Sequence, residues 1–260
     1  MSIPMKNNIE QWSNKKIQRR TFFSFTGFIL ASIGGWFSWK WYRHLPKTSN
    51  RLDQTTRDVL SFNEKVKDQF FSNNNLARTY PKERPTKRPR LNGFIGIQEN
   101  IDLEKWQLEV VNPTGKPSTF FQMNDIKALP KQEIIFDFKC IEGWDQIVYY
   151  GGIRFSDFLN KYNLGKKEGS NEWYKYVGLE TPDAKYYVGL DIECVLHPQT
   201  LLCYEVNNQP LPKFHGAPLR LIIPVKYGIK NLKRIGKMYF SDTPPRDYWH
   251  ELGYDYDVTL

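Results

Sequence analysis

The sequence predicts an α+β domain, mostly β, carried behind one N-terminal transmembrane helix. Three observations predict it. Residues 21–39 hold no charged side chain, β-branched and aromatic runs dominate after residue 91, and no βαβ alternation appears. A chain of 260 residues suits one domain of ordinary size plus an extension. With 40% hydrophobic and 15% aromatic residues it can bury a real core, which excludes wholesale disorder.

The helix comes first. Residues 19–39 read RRTFFSFTGFILASIGGWFSW. About nineteen uncharged residues in a helix span roughly 28 Å, close to the thickness of a bilayer core. Lys15, Lys16, Arg19 and Arg20 precede the apolar run, which places the N-terminus in the cytoplasm. The RRTFF stretch also resembles a twin-arginine export signal; an ordinary positive-inside anchor accounts for the same residues. No A-x-A site follows, so an uncleaved anchor is expected. Trp36, Trp39, Trp41 and Tyr42 suit an interfacial aromatic belt.

These features divide the chain into a basic N-terminus (1–20), an anchor (21–43), a connecting region (44–90) and a main domain (91–260). The connecting region opens as polar linker. Val59, Phe62, Val66 and Phe70 then recur at helical spacing, on a helix that either packs on the main domain or lies on a membrane surface. YPKERPTKRPR, residues 80–90, carries three prolines and must be extended. It has no interleaved aromatics, so its charge suits lipid headgroups or a partner rather than nucleic acid.

In the main domain WQLEVV, EIIFDFKC, YKYVGLE, KYYVGLD, LRLIIPV and KRIGKMYF read as strands. NPTGKP and VNNQPLP are turns, and FFQMNDIKALP and RFSDFLNKYN short helices. No GxGxxG or GxxxxGK[ST] occurs, so Rossmann or Walker nucleotide binding has no support. Three cysteines without a CxxC pair and four scattered histidines argue against a structural zinc site.

Two stretches carry chemistry. In FDFKCIEGWDQ, residues 136–146, Cys140 closes a strand-like run just before Gly143. It is either a small buried residue or a ligand for a soft metal, since Glu142 does not favour a free thiolate and a metal does. Cys194 and Cys203 have apolar flanks and read as space-filling, with a disulfide between them as the alternative. The second stretch, residues 215–236, gathers His215, Arg220, Lys226, Lys230, Lys233 and Arg234. It is a solvated basic face or a phosphate site. Arg220 lies between apolar residues and needs a partner if buried, which a phosphate-bearing ligand would provide. The net charge of +9 fits an anionic ligand or membrane as well as simple solubility.

FKCIEGWD, GLETPDA, LNGFIG and the run HPQTLL…HGAPLR…KYGIKNLK resemble the sulfite-oxidase-fold molybdopterin oxidoreductases. The nearer branch holds the catalytic subunit of the bacterial periplasmic methionine-sulfoxide reductase. The resemblance implies a sulfite-oxidase-type molybdopterin-binding domain with Cys140 as the protein ligand to molybdenum. It implies a pyranopterin dithiolene in its mononucleotide-free form, contacted by Asn92, Thr181, His215, Arg220, Asn231, Leu232 and Lys233, with Asn231 and Leu232 acting through backbone groups. Glu142 and Trp144 are expected to line the catalytic pocket beside Cys140. Sulfite oxidases follow the cysteine with Gly-Asn-Arg-Arg, whereas Ile141, Glu142, Gly143, Trp144 and Asp145 stand here, which lowers sulfite as the substrate. His215, by contrast, is the sulfite-oxidase choice where the reductase branch often has Asn.

The expected activity is oxygen-atom transfer with a small substrate, sulfoxide reduction first and sulfite-type oxidation or a cofactor-free scaffold as alternatives. A membrane haem or quinol partner would supply electrons. The resemblance also favours folded, twin-arginine export to the periplasmic side of a bacterial inner membrane. No Ig-like dimerisation domain follows residue 240, so a monomer is expected.

Overall fold

The structure is a computed structural model that describes residues 14–44, 54–70 and 75–260. The rest of the basic N-terminus and the linker at 45–53 lie outside the described residues. The chain divides into two compact units, Met1–Thr48 and Ser49–Leu260.

The first unit holds helix α1, Asn14–Arg43. Its stretch Gln18–Arg43 is long and apolar enough to cross a membrane by length and composition, with a mean hydropathy of 1.3. Phe22, Phe25, Phe28, Trp36 and Trp39 are all exposed. His44 closes its C-terminal end, with the backbone N–H donating to Trp41 O at 3.0 Å.

The second unit opens with α2, Gln54–Phe70, whose Val59 and Phe62 are exposed. Then follow β1 (Leu108–Val110), β2 (Thr119–Phe121), α3 (Met123–Lys127), β3 (Gln132–Lys139), β4 (Asp145–Arg154) and α4 (Phe155–Lys161). After these come β5 (Tyr176–Glu180), β6 (Tyr187–Asp191), α5 (Ile192–Leu196), β7 (Leu201–Val206), β8 (Gln209–Pro210), β9 (Arg220–Ile222), β10 (Lys237–Ser241) and α6 (Tyr248–Glu251). One sheet has the order β2-β1-β10-β5-β6, with β1 and β10 parallel. The other runs β3-β4-β7-β8, and β9 also pairs with β7. Leu108, Phe155, Phe158, Leu179, Leu221 and Met238 belong to the main buried cluster. Ile134, Phe136, Val148, Leu201 and Ile222 form a second cluster over the β3–β4–β7 sheet. Cys194 and Cys203 form no disulfide; each is fully buried and fills space as small apolar residues do.

The longest hairpin positions the site. Strands β3 and β4 pair antiparallel over eight residues each, ending at Lys139 opposite Asp145. The loop Cys140–Trp144 joins them. It closes through Cys140 N–H to Trp144 O at 2.9 Å and Gly143 N–H to Cys140 O at 3.0 Å. Gly143 takes φ +86°, a left-handed conformation that a residue with a Cβ adopts only under strain.

The proline-rich segment forms no helix. Pro81, Pro85 and Pro89 have no N–H to give, and the residues between them do the pairing. Tyr80 N–H donates to Ile135 O at 2.9 Å on β3, and Thr86 N–H to Ile147 O at 3.0 Å on β4. The segment is thus a strap along both strands of the hairpin.

Where β4 meets β7 the backbones come very close. A Cβ on Gly152 would stand 2.1 Å from Leu202 O and 2.5 Å from Cys203 Cα, both backbone atoms that cannot turn aside. Gly152→Ala is therefore expected to cost about 3 kcal/mol by overpacking. That lowers the thermal midpoint by roughly 6–12 °C, read by circular dichroism. An unchanged midpoint would show that the sheet tolerates the side chain.

Candidate active site around Cys140

A cavity of about 300 Å³ opens beside the Cys140–Trp144 loop. Cys140 forms part of its wall and is 5% exposed. Asn92 Nδ2 donates to Cys140 Sγ at 3.2 Å and lies 3.5 Å from Glu142 Oε2. Trp144 Nε1 donates to the same Glu142 oxygen at 3.0 Å. The Trp144 ring stacks on Phe138, centroids 6.1 Å apart, and the Arg90 guanidinium lies 4.6 Å from its centroid. The loop is thus fastened by hydrogen bonds and aromatic contacts, and the thiol has an amide donor aimed at it.

The opposite side is basic. Arg220, on β9, is 3% exposed. Its Nη1 donates to Tyr150 Oη at 2.9 Å and to His215 O at 3.0 Å, and Nη2 reaches Asn231 O at 3.5 Å. Its Nε is buried with no hydrogen-bond partner. Lys233 Nζ donates to the carbonyls of Asn92 and Gly93. Burial, then the neighbouring Arg220 charge, pushes the Lys233 ammonium down to about 7. Burial, with Arg220 and Lys233, pushes His215 down to about 4, so its ring is neutral near pH 7. The hydrogen bonds described for Arg220 and Lys233 all go to neutral oxygens.

Of the ten residues singled out from the sequence, Asn92, Cys140, Glu142, Arg220, Asn231 and Lys233 line the cavity together. Trp144, Thr181, His215 and Leu232 stand behind that wall. Thr181 Oγ1 donates to Asp183 Oδ1 at 2.7 Å and accepts from Tyr186 N–H at 3.1 Å. It packs against Gly96, where a Cβ would sit 2.5 Å from Thr181 Cγ2. The Asn231 amide donates to Gly228 O and the Leu232 amide to Lys230 O, each at 3.0 Å. Neither backbone N–H is free for a ligand. The Asn231 side chain accepts from Ile223 N–H at 2.6 Å and donates to Tyr227 O at 3.1 Å, which fixes the turn that presents Lys233.

Sequence reasoning missed the aromatic wall. Phe138, Tyr186, Trp249 and Tyr254 also line the cavity. Trp249 Nε1 donates to Tyr186 Oη at 2.9 Å, which donates to Ile229 O at 2.5 Å. Asp247 caps α6 by accepting from His250 N–H at 3.1 Å and pairs with the buried Lys230 at 2.5 Å. That pair draws the C-terminal stretch onto the site. The density of aromatics in YWHELGYDY, residues 248–256, was the available signal.

Residues 95–249, more than half of the chain, match the family described as oxidoreductase molybdopterin binding domain. The chain belongs to this molybdopterin-binding oxidoreductase family. YedZ1 of Azospira oryzae, which bears the name of a protein-methionine-sulfoxide reductase subunit, is 32% identical over 75% of this chain and 72% of its own. The protein-methionine-sulfoxide reductase catalytic subunit MsrP of Xanthomonas axonopodis is 30% identical, over 59% of this chain and 50% of its own. The MsrP of Campylobacter jejuni is 28% identical over 60% and 55%. The chain thus spans about half the length of the MsrP relatives. The sulfane dehydrogenase SoxCD of Paracoccus pantotrophus aligns at TM-score 0.49 and 19% identity, over 56% of this chain and 40% of that one, too slight a likeness to argue from. The expected fold class, α+β and mostly β behind one apolar helix, is the one found.

The cavity fits the molybdopterin of this family. Among the described residues no group of three His, Cys, Asp or Glu side chains could hold a metal ion. The one thiol in the cavity wall, Cys140, is a donor of the kind a soft metal takes. The partnerless Arg220 Nε and the Lys233 amine supply donors for an anionic group. A neutral Lys233 still has two hydrogens for its two carbonyls; protonation adds a third for an anion.

Anion affinity must therefore fall as pH rises through about 7, where Lys233 loses its proton. Sulfate keeps its charge across this range. Calorimetric titration of the cofactor-free full chain with sulfate should show affinity dropping roughly tenfold between about pH 6 and about pH 8.5. Lys233→Met should bind weakly at both. A pH-independent wild type would mean that Lys233 does not meet the anion.

Proposed function

We propose that the protein is a membrane-anchored molybdenum-cofactor oxidoreductase that transfers an oxygen atom, reducing a sulfoxide. One observation carries the reading: the cavity sets a lone thiol, with an amide donor at 3.2 Å from its sulfur, opposite a buried arginine whose Nε has no partner. The names of the relatives from Azospira and Xanthomonas support the sulfoxide.

In this reading Cys140 holds the molybdenum of a nucleotide-free pyranopterin, which supplies two-electron redox chemistry when bound. Arg220 and Lys233 hold its anionic end directly. Asn92 orients the sulfur. Asn231 lines the cavity beside them and fixes the turn that presents Lys233, while His215, Thr181 and Leu232 support these contacts from behind. Reducing a sulfoxide takes up two protons and two electrons and releases water. Glu142 Oε2, held by Trp144 Nε1 and reached by Asn92 Nδ2, is the protein atom that handles those protons. Phe138, Ile95, Ile141 and Trp249 give the alkyl arms of the substrate an apolar wall, and aromatic rings favour sulfur contacts. Sulfite oxidation fits less well, because the loop after Cys140 brings the carboxylate of Glu142 to the wall. A cofactor-free scaffold leaves the buried Arg220 Nε unexplained.

Residues 21–43 anchor the chain, with 1–20 in the cytoplasm, 44–90 as linker, helix and strap, and 91–260 as a monomeric catalytic domain in the periplasm. Arg19 and Arg20 direct export of the folded protein. A membrane haem or quinol partner delivers electrons, and the anchor keeps it near.

Two measurements test this. Protein from a host that makes the cofactor should carry about one molybdenum and one pterin per chain. Cys140→Ser should keep much of the pterin and lose sulfoxide reduction by at least about a hundredfold. Full activity in that variant, or an empty wild type, would sink the assignment. Separately, the chain should stay in the membrane pellet after alkaline extraction and be digested by protease in spheroplasts but not in intact cells. Release at high pH would remove the anchor.

A further inference from the structure

Arg90 lies outside the cavity wall, at the end of the strap, yet it touches the loop that carries the thiol. Its backbone N–H donates to Gln146 Oε1 at 2.9 Å, beside the start of β4. Its guanidinium lies 4.6 Å from the Trp144 ring centroid. Trp144 in turn closes the loop twice, through its carbonyl to Cys140 N–H at 2.9 Å and through Nε1 to Glu142 at 3.0 Å. Asn92, two residues further on, donates to Cys140 Sγ at 3.2 Å. In extended chain, side chains two apart fall on one side. One short segment therefore holds both ends of the loop.

We propose that Arg90 is a positioning residue that latches the Cys140–Trp144 loop shut through the Trp144 ring, and so sets where Cys140 Sγ and the Glu142 carboxylate stand before anything binds. Without the guanidinium, Trp144 retains Phe138 as its ring neighbour. The loop then opens about Gly143, the residue already at φ +86°. An arginine over a tryptophan face at a partly exposed site favours the closed state roughly two- to fivefold. The inference rests on the proposed role of Cys140, but the latch is read without any turnover.

The test is thiol labelling of the detergent-solubilised full chain, made in a host without the cofactor, with iodoacetamide and site assignment by mass spectrometry. Cys194 and Cys203, each fully buried, are internal controls. Arg90→Ala should raise the labelling rate of Cys140 roughly two- to fivefold, because labelling follows the open fraction of the loop. Cys194 and Cys203 should stay unlabelled, and Arg90→Lys should restore part of the protection. Arg84→Ala, an exposed arginine on the same strap, should label as wild type does. An unchanged Cys140 rate in Arg90→Ala would overturn the proposal. So would a parallel rise at all three cysteines, which would make Arg90 a general stabiliser. If loaded wild-type protein fails to reduce any sulfoxide while the labelling result holds, the proposed activity fails and the latch stands.

Discussion

The burial of Arg220 is the constraint on which the rest of the site depends. A guanidinium at 3% exposure, placed on a strand among apolar residues, cannot shed its charge. An isolated ion so placed costs several kcal/mol, so its hydrogens must be met. Tyr150 Oη reaches it from β4, His215 O from the turn before β9, and Asn231 O from the turn after. Each contact pins a different segment, and together they set the shape of the basic wall. All three acceptors are neutral. Burial also pushes the pKa of the Tyr150 hydroxyl and of the Cys203 thiol up, so both stay neutral and neither supplies a counter-charge. The arginine is solvated by dipoles and left without an anion.

That choice contrasts with two other buried cations nearby. Lys230 pairs with Asp247, and Lys226 with Asp257. Those two lysines tie the C-terminal stretch to the sheet, and their charge is matched inside the protein. Arg220 and Lys233 face the cavity instead, and burial, then the Arg220 charge, lowers Lys233 toward neutrality. A structure that tolerates such a mismatch loses stability where a ligand would restore it. In the proposed reading one thiol suffices for the same reason: the protein would contribute a single soft donor and an electropositive cradle, and the bound group would bring the remaining ligands.

Part of this was legible in the sequence because rare residue types stood in unfavourable contexts. Cys140 before Gly143, and Arg220 within PLRLIIP, each demanded an explanation that composition alone did not give. The β-rich class followed from alternation and turn residues, and the prolines of the strap barred a helix. Other features depend on contacts between distant segments. Nothing local shows that Tyr80 and Thr86 dock on β3 and β4, since the pairing register is set by the hairpin. The short helices α5 and α6 form through caps, Asp191 accepting from Cys194 N–H at 2.6 Å and Asp247 from His250 N–H, and single caps are weak signals in a chain full of aspartates. Trp249 and Tyr254 reach the cavity through contacts between distant segments, among them Lys230 with Asp247 and Trp249 with Tyr186. For Thr181, Asn231 and Leu232 the resemblance supplied the positions, while the fold engages their polar groups elsewhere.

The strap gives the prolines a purpose beyond preventing a helix. A segment that lies along a hairpin loses backbone freedom as it docks, about 1–2 kcal/mol for each residue fixed. Proline lowers that loss, because its φ is already restricted in the unfolded chain. Pro81, Pro85 and Pro89 each stand next to a residue that donates to the body, Tyr80, Thr86 and Arg90. The prolines themselves need no donor partner, so the stiff positions leave no N–H unmet. Such a segment can hold a loop in place at small entropic cost. It delivers Arg90 and Asn92 to the loop at Cys140, whose backbone turns through a left-handed glycine. Precision at the thiol is therefore supplied by the chain that precedes the domain core as well as by the core itself.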